Sequence, residues 1–148
     1  LGQQILIENI SSYLQYAEST IPEAEFVAEL ARRSGCGILL DVNNVYVSAC
    51  NHGFDARAWL DSIPRERVRE MHLAGFTRKQ FADGEILIDT HNRPVAPDVW
   101  KLYRAAVQRF GSVPTLIEWD SDLPALGVLL EEAVKADNIM EETHALAA

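Results

Sequence analysis

The sequence predicts an α/β fold in which parallel strands alternate with helices. Short apolar runs without polar alternation, typical of strands covered on both faces, or close variants of such runs, occur four times along the chain. A stretch with helical periodicity follows each run, and this alternation implies parallel strands with right-handed crossovers. With 148 residues and 48% apolar content, the chain is long enough for one domain and too short for two.

The first strand–helix unit covers the N-terminal quarter of the chain. Residues 4–9 form a short β-type run with Glu8 near its C-terminal end. Pro22 and Glu23 are typical of a first helical turn and predict a helix over about 22–34. Four apolar residues fall on one face of this helix, namely Phe26, Val27, Leu30 and Ala31.

The second unit repeats this design with a buried strand that ends in polar residues. This strand lies within 37–44, and Asp41 takes the position that Glu8 has in the first unit. Residues 45–54 read as a polar loop, and Asp55 then caps a short helix.

The third unit is longer because an extra segment follows its strand. We expect the strand at 68–75, a connection rich in charged residues and glycine at 76–84, and an extra short apolar segment at 85–91. A helix begins at Pro97 and ends near Gly111. Its apolar face is formed by Val99, Leu102, Tyr103, Ala106, Val107 and Phe110.

The fourth unit completes the pattern with a buried strand at 114–120, which has Glu118 near its C-terminal end. A last helix is predicted at about 123–138, followed by a charged, frayed tail at 139–148. The apolar face predicted for this helix consists of Leu126, Leu129, Leu130, Ala133 and Val134.

Charge and composition exclude several classes of function. The formal net charge of −9 argues against nucleic acid as the main partner. Cys36 and Cys50 form neither a CxxC zinc pair nor a disulfide framework, which favours a reducing compartment. No apolar run reaches the roughly 20 residues of a membrane span and no signal-peptide pattern is present, so we expect a cytoplasmic protein. Serine-hydrolase, P-loop and dinucleotide motifs are absent from the sequence.

The strand ends carry the candidate functional residues. Asp89 and His91 are two positions apart, so in extended backbone both side chains point the same way and reach one ion. In parallel α/β folds the C-terminal ends of the strands form the site. The full set of predicted metal ligands is Glu8, Asp41, Asn44, His72, Asp89, His91 and Glu118.

This ligand set contains oxygen and imidazole donors without thiolates, which favours iron, manganese or zinc. Seven donors exceed what one ion needs, so we expect two or more ions that share bridging carboxylates. The candidate substrate contacts are Asn9, Asn43 and His52. The alternative interpretation of His52 is an ordinary residue of a surface loop.

The order of these ligands resembles the second half of the xylose-isomerase-like barrels, which include endonuclease IV. Asn44 departs from the endonuclease pattern, which has a histidine there, and this counts against a role in DNA repair. A closer resemblance is to the multinuclear non-heme iron oxidative enzymes, long grouped as UPF0276-type proteins and similar to the oxidase of methanobactin biosynthesis. The motifs that carry it are Glu8-Asn-Ile-Ser-Ser-Tyr13, Leu39-Leu-Asp-Val-Asn-Asn-Val-Tyr46, Asn51-His-Gly-Phe-Asp55, His72-Leu-Ala-Gly75, Asp89-Thr-His91 and Ile117-Glu-Trp-Asp120.

The resemblance implies a TIM barrel with a mixed-valence cluster of two or three iron ions, for which zinc or manganese are alternatives. It implies use of dioxygen to modify cysteine residues of a ribosomally made peptide, which a separate partner protein delivers. Members of the family are about twice as long as this chain. We therefore expect residues 1–148 to form one segment, the C-terminal half of a barrel with strands five to eight, paired with an N-terminal half or a second copy.

Two other classes of function stay open at this point. One is a metal-dependent isomerase or phosphodiesterase on the same barrel, which bound zinc, magnesium or manganese would favour. The other is a non-catalytic metal-binding or interaction module, because this chain lacks the first four strands of the family. Whether the chain is active by itself is left open, as are its metal content and its peptide.

Overall fold

A computed structural model describes residues 2–147. Six strands and five α-helices are formed, and a short 3-10 turn at Arg65–Arg67 precedes the third strand. In chain order they are β1 (Leu6–Glu8), α1 (Glu23–Ser34), β2 (Gly37–Asp41), α2 (Val42–His52), α3 (Ala56–Ser62), β3 (Val68–Ala74), β4 (Phe76–Phe81), β5 (Gly84–Asp89), α4 (Pro97–Phe110), β6 (Thr115–Glu118) and α5 (Leu126–Ala147).

Four of the strands form one parallel sheet in the order β1-β2-β3-β6. Neighbours in the sheet therefore follow one another along the chain, as expected for successive strand–helix units. The register places Asp41 opposite His72 and Ala74 opposite Glu118. This mixed α/β arrangement confirms the parallel sheet with helices and is compatible with half of a TIM barrel.

The core lies between one face of the sheet and the helices. Ile38 and Leu40 of β2 and Met71 and Leu73 of β3 are fully buried there. Since side chains alternate along a strand, Asp41 and His72 belong to the opposite face. The six apolar residues predicted for the face of α4 are all buried, so the prediction for this helix is confirmed.

The prediction of a polar loop at 45–54 is wrong, because α2 occupies Val42–His52. Asp41 starts this helix as its N-cap and accepts a hydrogen bond from the backbone N–H of Asn44. Val45 and Val47 of this helix are buried, and the helix begins directly after β2 without a linker. Burial of these residues outweighs the low helix propensity of asparagine and valine.

The connection predicted at 76–84 is also different in the structure. Residues Phe76–Phe81 form β4, which pairs antiparallel with β5 to make a two-stranded hairpin separate from the main sheet. The extra segment predicted at 85–91 is the second strand of this hairpin and ends at Asp89. Charged side chains at both strands mask the alternation that would mark the hairpin in the sequence.

Helix α5 packs through a different face from the one predicted. Leu126, Leu130 and Val134 are more than half exposed, whereas Ala136 and Ile139 are buried against the core. The helix also continues to Ala147, so the part of the expected frayed tail that the structure describes is helical. In α1, Val27 and Ala31 are buried as predicted, but Phe26 and Leu30 are exposed.

Apolar side chains are exposed near both edges of the sheet. Ile5 precedes the edge strand β1 and Leu116 lies in the other edge strand β6, and both are about half exposed. Cover on both faces therefore holds for the central strands β2 and β3 and fails for the edge strands β1 and β6. Among residues 2–147, no helix combines the length and the apolar character that a membrane crossing requires.

Candidate metal centre

Four predicted ligands come together at the C-terminal ends of the four parallel strands. Glu8, Asp41, His72 and Glu118 each offer one oxygen or nitrogen atom, and these atoms lie within 4.8 Å of one another. They meet because a parallel sheet brings the carboxyl ends of its strands to one edge. The structure thus brings together four of the seven predicted ligands, and their binding of a metal stays a prediction.

The carboxylates of this group repel one another, and that of Asp41 is also buried. Burial raises the pKa of Asp41 well above its usual value. The hydrogen bond from the backbone N–H of Asn44 lowers this pKa, and repulsion from neighbouring carboxylates raises it further. Burial also raises the pKa of Glu8, and attraction to His72 opposes that effect. A bound cation would offset both the repulsion and the lost hydration.

The carboxylate of Glu118 lies between two histidines. Its Oε1 is 3.0 Å from Nδ1 of His72, and its Oε2 is 3.4 Å from Nδ1 of His91. Each oxygen thus faces a different imidazole. A carboxylate in this position would be able to ligate one ion beside each histidine.

A second group of donors surrounds His91. Its Nε2 lies 2.7 Å from Oδ1 of Asp89, and its Nδ1 lies 3.2 Å from Oδ2 of Asp120. The contact with Asp89 raises the pKa of His91 to about 9, although burial acts in the opposite direction. The pair Asp89 and His91 is therefore next to the first group and joined to it through Glu118.

The main chain holds His91 in an uncommon conformation. Its φ is +47°, a left-handed value that few residues other than glycine adopt. Its N–H donates to the carbonyl of Gly75 at 2.9 Å, and its carbonyl accepts from the N–H of Asp120 at 2.7 Å. His91 is thus tied to the ends of both β3 and β6, which fixes the ring over the sheet edge.

Unpartnered polar atoms support the fit of a metal ion to this site. Within the described part of the chain, several buried side-chain atoms make no hydrogen bond, and five of them belong to predicted site residues. Nδ1 of His72 and Nε2 of His91 lie close to carboxylates but form no hydrogen bond with them. The five atoms are Asp41 Oδ2, Asn43 Oδ1, Asn44 Oδ1, His72 Nδ1 and His91 Nε2.

The donor set is also suitable for iron, manganese or zinc, since it combines carboxylates with imidazoles. Asn44 takes a position beside this set without joining the four-residue group. Its Nδ2 donates to the carbonyl of Asn9 at 3.0 Å, and its backbone N–H donates to Asp41. Only its Oδ1 is free to face an ion.

The three predicted substrate contacts have different environments. Asn9 is buried, and both polar atoms of its side chain bond the main chain of Asp41. Asn43 donates to Oδ1 of Asp89 at 2.6 Å. His52 contacts Ser12 and lines a cavity of about 950 Å³ that none of the predicted metal ligands lines.

Two acidic residues beside the site are missing from the sequence prediction. Asp120 contacts His91, and Glu70 has Oε1 3.4 Å from Nε2 of His72. Both stand two residues from a predicted ligand, at the spacing that identified Asp89 and His91. Applying that spacing to every strand end would find them.

Fold and site together define a parallel α/β protein with a candidate metal centre of carboxylates and imidazoles. The chain belongs to the family of RiPP precursor modification enzymes MbnB/TglH/ChrH, whose family model matches residues 1–141. This result confirms the family that the sequence motifs indicated.

Curated relatives are UPF0276 proteins from several bacteria. One from Vibrio parahaemolyticus is 55% identical over 142 residues, which is 96% of this chain and 49% of the relative. One from Vibrio vulnificus is 56% identical over 95% of this chain and 48% of its own length. One from Anaeromyxobacter sp. is 53% identical over 100% of this chain and 50% of its own. The chain spans about half the length of the curated relatives it matches.

Proposed function

We propose that this chain carries the metal-binding part of an iron-dependent enzyme that uses dioxygen to modify cysteine residues of a ribosomally made peptide. The observation that carries the proposal is the position of Glu118 between His72 and His91. Membership of the RiPP modification family supports a peptide as the substrate. Free Cys36 and Cys50 fit a reducing compartment, and we place the activity in the cytoplasm.

The proposal assigns the donors to two ion sites. His72 would hold the first ion together with Glu8 and Asp41, and Asn44 Oδ1 is a further candidate at this site. His91 would hold the second together with Asp89 and Asp120, and Glu118 would serve both ions.

Other residues orient these ligands. Asn43 fixes the rotamer of Asp89 by donating to Oδ1, and Asn9 fixes the main chain of Asp41. Bound iron would supply the one-electron chemistry that protein side chains lack. The same donors accept zinc or manganese, and the assignment of iron comes from the resemblance to the multinuclear iron enzymes.

Metal analysis of one pair of variants tests the two-ion arrangement. The purified chain is loaded with ferrous iron without oxygen, desalted, and its iron content measured by mass spectrometry. We expect about two ions per chain, and Glu118→Gln is expected to lose at least one of them because the bridging charge is removed. Glu131→Gln changes an exposed glutamate of α5 and is the matched control. Equal iron content in both variants would contradict the bridging role.

The activity is tested with dioxygen and cysteine-containing peptides, by the change in peptide mass. Because this chain spans half of its relatives, we assign the complete activity to a full-length version and measure both proteins. A mass change with the full-length protein supports the proposal. Retention of redox-inert zinc or manganese, with turnover of a sugar or of abasic DNA, would favour an isomerase or phosphodiesterase. Metal binding without turnover in either protein would favour a non-catalytic module.

We also propose that the exposed apolar residues at the two sheet edges are covered in the working protein, by an N-terminal half or by a second copy. Ile5 and Leu116 border the open sides of β1 and β6, and unpaired strand edges with apolar side chains favour association. Size-exclusion chromatography of the purified chain should therefore give a species larger than 16.5 kDa. A well-folded monomer would contradict this part of the proposal. A separate partner protein that delivers the peptide is a further expectation of the resemblance.

A further inference from the structure

The hairpin of β4 and β5 has two outer edges with different environments. Phe76 pairs with Asp89 and Arg78 pairs with Leu87 along its antiparallel register. The two strands form a sheet of their own, so each has a partner on one side only. What covers the other side of each strand decides whether it is open to a third strand.

The outer edge of β5 is closed by side chains. Asn51 of α2 donates through Nδ2 to the carbonyl of Leu87, and its Oδ1 accepts from the N–H of Leu87, both at 2.9 Å. The hydroxyl of Tyr13 accepts from the N–H of Asp89 at 2.9 Å. These contacts take the place of a neighbouring strand along β5.

The outer edge of β4 is open. In an antiparallel pair, two residues opposite each other direct their main-chain N–H and C=O groups either both inwards, towards the partner strand, or both outwards, away from it. Leu87 and Asp89 turn theirs outwards, so their partners Arg78 and Phe76 do the same, and Gln80 follows by alternation. Within residues 2–147, none of these outward main-chain groups on β4 forms a hydrogen bond with another main-chain group.

The open edge is continuous with the candidate metal centre. Its first residue, Phe76, is paired with Asp89, and Gly75 accepts a hydrogen bond from the N–H of His91. From there the edge runs away from the site over five residues, a length of roughly 16 Å. A strand added to β4 would therefore have one end beside the ligands.

Two basic residues also lie side by side on this edge strand of an acidic protein. Arg78 and Lys79 are exposed, and the net charge of the chain is −9. Arg78 pairs with Glu85, whereas Lys79 forms no ion pair with a residue that the structure describes. The open main-chain groups and this charge together favour an extended, acidic peptide segment.

We propose that β4 binds the peptide substrate as a third strand of the hairpin, with acidic side chains of the peptide beside Lys79. This inference rests on the proposed function and names how its substrate is held. Main-chain hydrogen bonds to Arg78 and Gln80 supply affinity without demanding a particular sequence. The strand then directs the residue that follows it in the peptide to the metal centre.

The test uses a display library of random 12-residue peptides, each with one fixed cysteine, selected on the purified chain. We expect acidic peptides to be enriched. Gln80→Pro removes the outward N–H and fills the edge with a ring, which edge strands tolerate, and should weaken their binding by about tenfold or more. Gln80→Ala is the matched control, because it removes the same side chain and keeps the N–H. Lys79→Glu should weaken binding as well and provides a second variant if Gln80→Pro does not fold.

Amide exchange followed by NMR gives an independent readout for this 16.5 kDa chain. Binding of an enriched peptide should slow exchange at the N–H groups of Arg78 and Gln80 and leave Thr77 and Lys79 unchanged. Failure to enrich any peptide, equal binding to the proline and alanine variants, or protection elsewhere would each overturn the inference. A peptide that binds at β4 but is never modified by the full-length protein with iron and dioxygen would overturn the proposed function alone. A peptide that is modified and binds the proline variant normally would overturn this inference alone.

Discussion

Replacing Asn9 with alanine tests how the protein holds Asp41 in the candidate metal centre. The Asn9 side chain donates to the carbonyl of Asp41 at 2.9 Å and accepts from its N–H at 3.0 Å, and both bonds are buried. They continue the pairing of β1 with β2 beyond the last main-chain partners, Glu8 and Leu39. The variant therefore leaves two main-chain groups of Asp41 without a partner.

The expected cost follows from these two groups. A buried donor or acceptor left unsatisfied costs about 1–3 kcal/mol, so Asn9→Ala should lower the free energy of unfolding by about 2–6 kcal/mol. For a chain of this size the corresponding fall in Tm is on the order of 10 °C.

Urea denaturation followed by circular dichroism measures the loss of stability, and mass spectrometry measures the iron content. Asn51→Ala is the matched control, since Asn51 makes the same pair of bonds with the main chain of Leu87 at a half-buried position. Water can replace the amide there, and we expect a loss of about 1 kcal/mol or less with iron content little changed. Equal destabilisation by Asn9→Ala and Asn51→Ala, or full iron content in Asn9→Ala, would refute the role of Asn9.

Three further predictions concern the metal and its supports. A Cβ at Gly75 would clash with the carbonyl oxygen of Arg93, so Gly75→Ala should displace the loop that carries His91 and lower the iron content. A variant with normal iron content and normal stability would contradict this prediction. Ferrous iron or zinc at a hundred times its Kd should stabilise the chain by about 2.7 kcal/mol and raise the calorimetric Tm, whereas an unchanged Tm would argue against a specific site. Tyr103→Phe removes the hydrogen bond to Oγ1 of Thr115 and should cost about 1 kcal/mol in urea denaturation without changing the iron content; a loss of iron would link this bond to the site.

The grouping of the candidate ligands is the part of the site that local sequence predicts well. Asp41 and Glu118 each end a run of apolar residues, His72 lies near the C-terminal end of its strand, and parallel strands bring such ends to one edge whatever the details of the loops. The spacing of Asp89 and His91 also identifies this pair in the sequence. The sequence does not predict that the pair lies next to the four-residue group, because this depends on the left-handed backbone of His91 and on its hydrogen bonds to residues at the ends of two strands.

The helices show where local pattern is insufficient. Residues 42–52 contain asparagines and valines, which read as strand end and loop, yet the Asp41 cap and burial against the core make them helical. For α5 the pattern finds a row of leucines, whereas the helix packs on the core through Ala136 and Ile139. Which face of an amphipathic helix is covered depends on its neighbours, and these are not encoded in the helix itself.

The arrangement of the sheet also sets when the candidate metal centre is completed during synthesis. Strand order follows chain order, so each parallel strand can pair with a neighbour that has already been made. Glu118 leaves the ribosome after all the other donors of the four-residue group, and at 5–20 residues per second it follows Glu8 by roughly 5–20 s. Until β6 joins β3, the nascent chain has no carboxylate of Glu118 between His72 and His91. We therefore expect the ions to enter a finished sheet and not to guide its formation.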